Sequence, residues 1–385
     1  MKILLATECY IHHTGGITAS VLALATGLRH YGHEVKVLAL SNTDSSFRDG
    51  DDYFIRSFPS FYYPGLRMSF AGNDPLLREL AEWGPDLIHA QTEGSTYRFA
   101  LKIRKQCRVP MVMTCHTNYG YYIFGNFQTN PIAQALLAMA GRILYRPAVQ
   151  VIAPSKKAAR FAFLRSTQDR LTVVPNGMEL AKYRRQFTEE ERLAFRRSLG
   201  IEDGERVFVT VTRLSKEKNI EELVTYFPDL LKKDPNSKLL IVGDGPDMSH
   251  LEQLKKELGL EDRVLFPGRI PPQEVWKYYS AGDVFVSAST FEVHSMSFLE
   301  ALANGLPMLC RKDDALDGVL EPGDNGFLYQ SKEEFLDFAH RLLQEDRLRE
   351  TMAERSLKRS DGFAADPFAA AVLKVYEKAL KGSGT

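Results

Sequence analysis

Two carboxylates, Glu292 and Glu300, lie eight positions apart in the segment FEVHSMSFLEALANGLP (291–307). The run MSFLEALAN within it reads as a helix that stops at Gly305, with Pro307 two residues beyond, a normal termination pattern. Glu292 then belongs to the loop before the helix, with Ser295 a candidate N-cap, and Glu300 lies about one turn inside. A loop carboxylate can accept hydrogen bonds from sugar hydroxyls, while a helical one turned to the same ligand can hold a diol such as ribose. Two acids at this spacing are also commonly a solvated pair, so their chemistry depends on their neighbours.

Those neighbours include cations. The strand VFVTVTRL runs into SKEKNIEEL, where Asn219 can N-cap a helix and Glu222 can complete a capping box. Arg213 and Lys218 flank that helix start. A helix N-terminus with two cations suits a diphosphate, because Arg offers a bidentate fork and Lys a compact charge. Taken alone, both also fit as surface cations. Near the N-terminus, Gly15 and Gly16 separate a strand from a helix and would let the backbone approach a pyrophosphate. His116, in CHTNYGYY after the strand VPMVMTC, is either a hydrogen-bond partner for a ligand or a packed core histidine.

Other chemistries fit less well. Gly243-Asp244-Gly245-Pro246 follows a strand, but the sixth position is Met248, and the next strand, RVLFPG, ends without the acid that would hold a nicotinamide cofactor's ribose. There is no GxxxxGK[ST] phosphate loop. Asp49-Gly50-Asp51 has a D-x-D form but sits in a polar loop with no apolar strand ahead of it, so no metal site is expected. The four cysteines lack metal-ligand spacing and a disulfide pattern. Lys+Arg and Asp+Glu balance at 49 each, which argues against nucleic acid as a partner. The opening MKILLATECYIHH lacks a signal peptide's core, and no apolar run reaches about 18 residues, so a cytoplasmic location is expected.

The elements that must position these residues alternate. KILLATE, HEVKVLAL, DLIHA, VPMVMTC, VQVIAP and LTVVP read as buried strands separated by helical or irregular stretches, beginning with a helix closed by Gly32. The pattern restarts at RVFVTVTRL, followed by KLLIVG, RVLFPG and DVFVSA with helices between. This is an α/β chain of two doubly wound, Rossmann-like domains facing across a cleft, whose ligands belong at the carboxyl ends of the strands. The linker falls near Met178 to Arg185, and the GSGT tail is a frayed end.

Gly15-Gly16 with GHEV, PNGME, TRLSKEKNI, GDGP, FPG, the E-x7-E from Glu292 to Glu300, and NGF, taken together and in this order, resemble the retaining glycosyltransferases of family 4, with the GT-B fold. The resemblance covers nearly the whole chain. It implies that DPFAAAVLKVYEKAL crosses back to the first domain. The domains become 1–180 plus 364–385, for the acceptor, and 181–363, for the nucleotide sugar. It assigns Arg213 and Lys218 to the donor diphosphate, Glu292 to the donor sugar, Glu300 to the ribose, and His116 to the transferred sugar. Gly15 and Gly16 lie near the phosphates. Gly243, Arg269, Ile270, His294, Ser295 and Met296 complete the expected donor site, with Arg269 and Ile270 near the base. The catalytic set becomes Glu292, His116, Arg213 and Lys218, with no metal and no cofactor. One departure stands out: the family usually has Gly after the position of His294, where this chain has Ser295. Side chains in this tight loop are expected to narrow or reshape the sugar pocket.

CHTNYGYY and TRLSKEKNI look most like the branch that glucosylates diacylglycerol. The expected reaction moves a hexose, glucose in the first instance, from a UDP sugar to a hydroxyl of a membrane glycerolipid, forming an α-glycoside. A polysaccharide, protein or other sugar acceptor, a sugar-nucleotide epimerase, and a non-catalytic partner subunit of the same fold are the alternatives. KKAARFAFLR (156–165), with Phe161, Phe163 and Leu164, reads as a basic amphipathic stretch, and PIAQALLAMAGRILYR adds apolar surface ending in Arg142 and Arg146. Lys102, Arg104, Lys105 and Arg108 lie in the same half. Peripheral contact with an anionic membrane is the expectation; the alternative is that these helices simply cover the first sheet.

Overall fold

The computed structural model describes every residue except 12–14, 61–66, 126–128, 185 and 383–385. Part of the loop after the first strand, Arg185 at the end of the expected linker, and the last three residues of the GSGT tail therefore lie outside the described residues. The chain divides into two compact units, Met1–Glu179 with Ala364–Thr385, and Leu180–Phe363.

In the first unit the strands are β1 (Lys2–Ala6), β2 (Glu34–Leu40), β3 (Phe47–Asp49), β4 (Asp52–Ile55), β5 (Phe58–Pro59), β6 (Arg67–Met68), β7 (Leu87–Ala90), β8 (Met111–Thr114), β9 (Gln150–Ala153) and β10 (Leu171–Val173). Eight of them form one sheet in the order β10-β9-β8-β7-β1-β2-β4-β3, and β5 and β6 pair separately. The central strands are apolar at nearly every position because both faces of the sheet are covered. Among the described residues of the eight-stranded sheet only β3 runs antiparallel to its neighbour, and the separate pair β5-β6 is antiparallel as well. Asp49-Gly50-Asp51 lies where β3 turns into β4, with Gly50 in the left-handed region, so the D-x-D segment belongs to a hairpin that the alternation of long apolar runs did not signal.

The second unit holds β11 (Arg206–Val211), β12 (Ser237–Val242), β13 (Val264–Gly268), β14 (Val284–Ser287), β15 (Met308–Arg311) and β16 (Gly326–Tyr329), in the order β13-β12-β11-β14-β15-β16. All its strand pairs are parallel. The four-residue strands β15 and β16 extend the sheet beyond the strands read from sequence.

The helix Ala365–Lys381 belongs to the first unit, although it comes last in the chain. Its Phe368, Ala369, Val372, Val375 and Tyr376 share a core with Val21, Leu24 and Leu28 of the helix Gly16–His30. Where the chain leaves this unit and re-enters it, Met178 and Ala364 form a parallel bridge. The two helices meet closely at Gly27, where an added methyl would collide with the carbonyl of Ala365 and lie 2.7 Å from the Cβ of Ala369. Gly27→Val should therefore lower the unfolding free energy by about 1–3 kcal/mol, the usual range for overpacking. Urea denaturation measures this, and an unchanged midpoint would contradict the close approach.

Candidate active site

In the second unit β11 has β12 on one side and β14 on the other, so the sheet's winding reverses between β11 and β14. Ligands of doubly wound sheets bind at such a crevice, outside the carboxyl ends of the strands. Lys218 ends the short turn Lys216–Lys218 after β11, and Glu292 lies in the loop after β14. Their side chains meet across the switch point, with Lys218 Nζ 2.6 Å from Glu292 Oε1. The backbone holds this register: Thr290 N–H and the Ser289 hydroxyl both donate to the Glu217 carbonyl. Glu292 is only 8% exposed, so the pair sits in a medium where its attraction is stronger than in water, and where either charge left alone would be costly.

The other candidate residues of this unit ring that point. Arg213 is exposed, and no hydrogen bond or ion pair holds it among the described residues. Gly243 has φ 141°, and a methyl there would strike the Thr212 carbonyl. Leu214 N–H donates to the Asp244 carbonyl and Asp247 N–H to the Leu214 carbonyl. GDGP thus fastens the post-β12 loop onto the segment carrying Arg213, a packing role that motif reading did not anticipate. Exposed Arg269 and half-buried Ile270 follow β13.

The helix Met296–Ala303 has Ser295 at its N-cap position, but the Ser295 hydroxyl pairs with that of Ser297 at 2.9 Å and caps no backbone N–H. The expected capping box at Asn219 is also absent. Asn219 is left-handed, and its amide donates to Glu222, whose carboxylate is drawn instead to Arg311 at 2.6 Å and the Tyr329 hydroxyl at 2.9 Å. A half-buried ionic partner from β15 outcompetes the local cap. His294 is buried against Phe363, with ring centroids 5.9 Å apart, and burial pushes its imidazole down to about 4.

Glu300 accepts a hydrogen bond from the Tyr279 hydroxyl at 2.7 Å. Burial raises its carboxyl from an ordinary 4.5 to about 7, only partly opposed by that bond.

In the first unit the winding reverses between β1 and β7. Gly15 occupies the N-cap position of the helix that Gly16 begins. Glu8 N–H donates to the Thr92 hydroxyl, and its carboxylate receives Thr96 N–H and hydroxyl at 2.6 and 2.8 Å. His116, after β8, lies with Nε2 2.9 Å from Gln91 Oε1. Beside them Glu93 takes hydrogen bonds from Tyr119 and Tyr145, and burial raises it to about 7. Sequence reading singled out His116 but none of Glu8, Gln91, Glu93, Tyr119 or Tyr145. For Glu8, Gln91, Glu93 and Tyr119 the one available signal was position after a strand, at the carboxyl edge of a parallel sheet; Tyr145 ends the helix Pro131–Leu144 and carried no such signal.

Comparison with known proteins places the chain in a family. Residues 14–182 match the Glycosyltransferase Family 4 model, and residues 191–359 match Glycosyl transferases group 1. The chain is 32% identical over 331 residues to the alpha-monoglucosyldiacylglycerol synthase of Streptococcus pneumoniae, spanning 86% of this chain and 75% of that protein. It is 30% identical to the synthase of the same name from Acholeplasma laidlawii, spanning 98% and 96%. The chain belongs to glycosyltransferase family 4. Its fold is GT-B, as in Anabaena HepE crystallised with UDP and glucose (TM-score 0.73, 22% identity, 98% of this chain and 100% of that one). Sucrose-phosphate synthase from Thermosynechococcus elongatus is likewise similar in fold (TM-score 0.73, 20% identity, 99% of each chain).

Two outcomes follow for this family 4 site. Lys218→Ala leaves Glu292 without its cation and should cost about 1–3 kcal/mol of stability at pH 7, with Glu292→Gln in the same chain recovering part of it. Chemical denaturation of the single and double variants checks this, and additive losses would contradict the pairing. For Glu300, the folded state keeps a proton that the unfolded chain releases between pH 4.5 and about 7, so its contribution to stability falls as pH rises through that window. Glu300→Gln should flatten this slope and add about 1–3 kcal/mol at pH 8, read from unfolding curves across pH.

Proposed function

We propose that this family 4 glycosyltransferase moves glucose from UDP-glucose to the free hydroxyl of a diacylglycerol, with retention, giving an α-glucoside. The observation that carries the reading is the Lys218–Glu292 pair at the switch point of the second unit. Likeness to the two alpha-monoglucosyldiacylglycerol synthases supports the choice of donor sugar and acceptor.

An ammonium has three N–H donors, and Glu292 takes one of Lys218's, leaving two for diphosphate oxygens. Arg213 adds a bidentate fork. As the bond from the anomeric carbon to the phosphate oxygen breaks, the ring gains positive charge and the diphosphate negative charge, and fixed cations stabilise that separation. The acceptor oxygen bonds to the anomeric carbon on the face the diphosphate leaves, and its proton passes to the departing phosphate oxygen. In this reading Glu292 orients sugar hydroxyls, Glu300 takes the ribose hydroxyls, His116 approaches the transferred sugar, and the cations with the Met296 helix start do the work of a metal.

A membrane acceptor is supported by one surface of the first unit. KKAARFAFLR does not form the continuous amphipathic helix expected of it: a short helix, Lys156–Ala159, gives way to a 3-10 segment, and Phe163 and Leu164 are buried. The neighbouring helix Pro131–Leu144 turns Ala133, Leu137 and Gly141 inward, and exposes Ile132 (71%), Leu136 (47%), Met139 (58%) and Ile143 (70%) on the opposite face. Such a stripe calls for an apolar partner. Residues 94–168 contain eleven Lys and Arg and no Asp or Glu, in a chain whose charges cancel overall at 49 each, so the surroundings favour an anionic lipid surface.

Release of labelled UDP and formation of glucosyl-diacylglycerol from radiolabelled UDP-glucose should fall on the order of 10²- to 10³-fold in Lys218→Ala. Unchanged turnover there would refute the donor assignment. Ile132→Asn with Ile143→Asn should abolish co-sedimentation with anionic vesicles at low salt while sparing transfer to a water-soluble short-chain diacylglycerol; vesicle binding equal to wild type would remove the case for this surface.

A further inference from the structure

We infer that Gln91, on the loop leaving β7, is a positioning residue that sets the tautomer and orientation of His116. The inference rests on the reading of His116 as the first unit's contact to the transferred sugar.

The chain of contacts begins in the helix Ala365–Lys381. Its fully buried Tyr376 places a hydroxyl 2.7 Å from Nδ1 of His89 on β7, whose Nε2 lies 2.8 Å from the Thr114 hydroxyl of β8. His89 is 1% exposed, and burial, aided by the neighbouring His116, pushes its imidazole down to about 3, so the ring is neutral. A neutral imidazole has one in-plane donor and one in-plane acceptor, and the two hydroxyls use both.

Gln91, 2% exposed, lies with its amide nitrogen 3.1 Å from His89 Nδ1 and 3.2 Å from Nε2. A point nearly equidistant from both ring nitrogens at that range cannot lie in the ring plane without striking the carbon between them, so the amide nitrogen sits over the ring face. The electron-rich face of a neutral imidazole attracts N–H groups and repels a carbonyl oxygen. His89 therefore decides which way the Gln91 amide points: nitrogen toward His89, oxygen toward His116.

That oxygen is 2.9 Å from His116 Nε2. An amide oxygen only accepts, so His116 must donate through Nε2, and of its two neutral tautomers this contact selects the one with the proton on Nε2. The returning helix is thus linked to the candidate catalytic histidine by three successive contacts, through Tyr376, His89 and Gln91. Reacting groups need such support, since small misplacements cost large factors in rate.

The test is imidazole 15N NMR of the full chain without substrate, with the His116 signals assigned by their loss in His116→Asn. Wild type should show His116 as the Nε2–H tautomer at pH 8. Gln91→Met, close in size but lacking the acceptor, should give mixed tautomers and a kcat lower by roughly 10- to 100-fold, with UDP affinity by calorimetry unchanged. Gln91→Glu keeps an acceptor oxygen and should keep the Nε2–H tautomer. An undisturbed tautomer in Gln91→Met overturns the inference, as does a changed tautomer with wild-type kcat. If wild type transfers no glucose, the proposed function fails separately, and the NMR arm still decides the role of Gln91.

Discussion

The second unit is organised around one electrostatic constraint: a lysine and a glutamate from loops on opposite sides of a topological switch point, held 2.6 Å apart with the glutamate almost fully buried. Removing two charges from water is expensive, and a buried pair often contributes little net stability. A hydrophobic pair would pack as well. What the ion pair supplies is a cation whose position is set before any ligand arrives, which suits a site where charge must separate quickly. The surrounding features serve that arrangement: hydrogen bonds from Ser289 and Thr290 to the Glu217 carbonyl, and the GDGP turn packed on the Thr212–Leu214 backbone.

Each unit also stores unfavourable electrostatics. Glu300 and Glu93 are both shifted upward to about 7 by burial, one in each unit. Each has tyrosine hydroxyls as partners, which satisfy hydrogen bonding without neutralising charge. A carboxylate so placed gains from any ligand that brings further donors, and ribose or an acceptor hydroxyl would do so.

The returning helix has a structural role and a second, less visible one. Its apolar face completes the core beside the helix Gly16–His30, and the close approach at Gly27 explains why a small residue stands there. Its Tyr376 also reaches beneath the sheet's carboxyl edge to His89. A segment at the far end of the chain thereby supports side chains that follow β7 and β8.

The sequence alone determined the alternation of strands and helices, because buried parallel strands are nearly continuous apolar runs and helix stops carry Gly and Pro. It also placed Arg213, Lys218, His116, Glu292 and Glu300 after strands, where doubly wound sheets bind ligands. Short or half-polar strands such as Phe47–Asp49 and Gly326–Tyr329 escaped notice, since three or four residues carry too little periodicity. Only the tertiary structure decided which polar groups met. Local rules paired Asn219 with Glu222 in a cap, but Arg311 and Tyr329, about ninety and more than a hundred residues away, claimed the carboxylate. Local rules likewise put Phe163 and Leu164 on a membrane face, but packing buried them and left the stripe from Ile132 to Ile143 exposed. Burial and partner choice depend on which strands become neighbours, and no window of sequence contains that information.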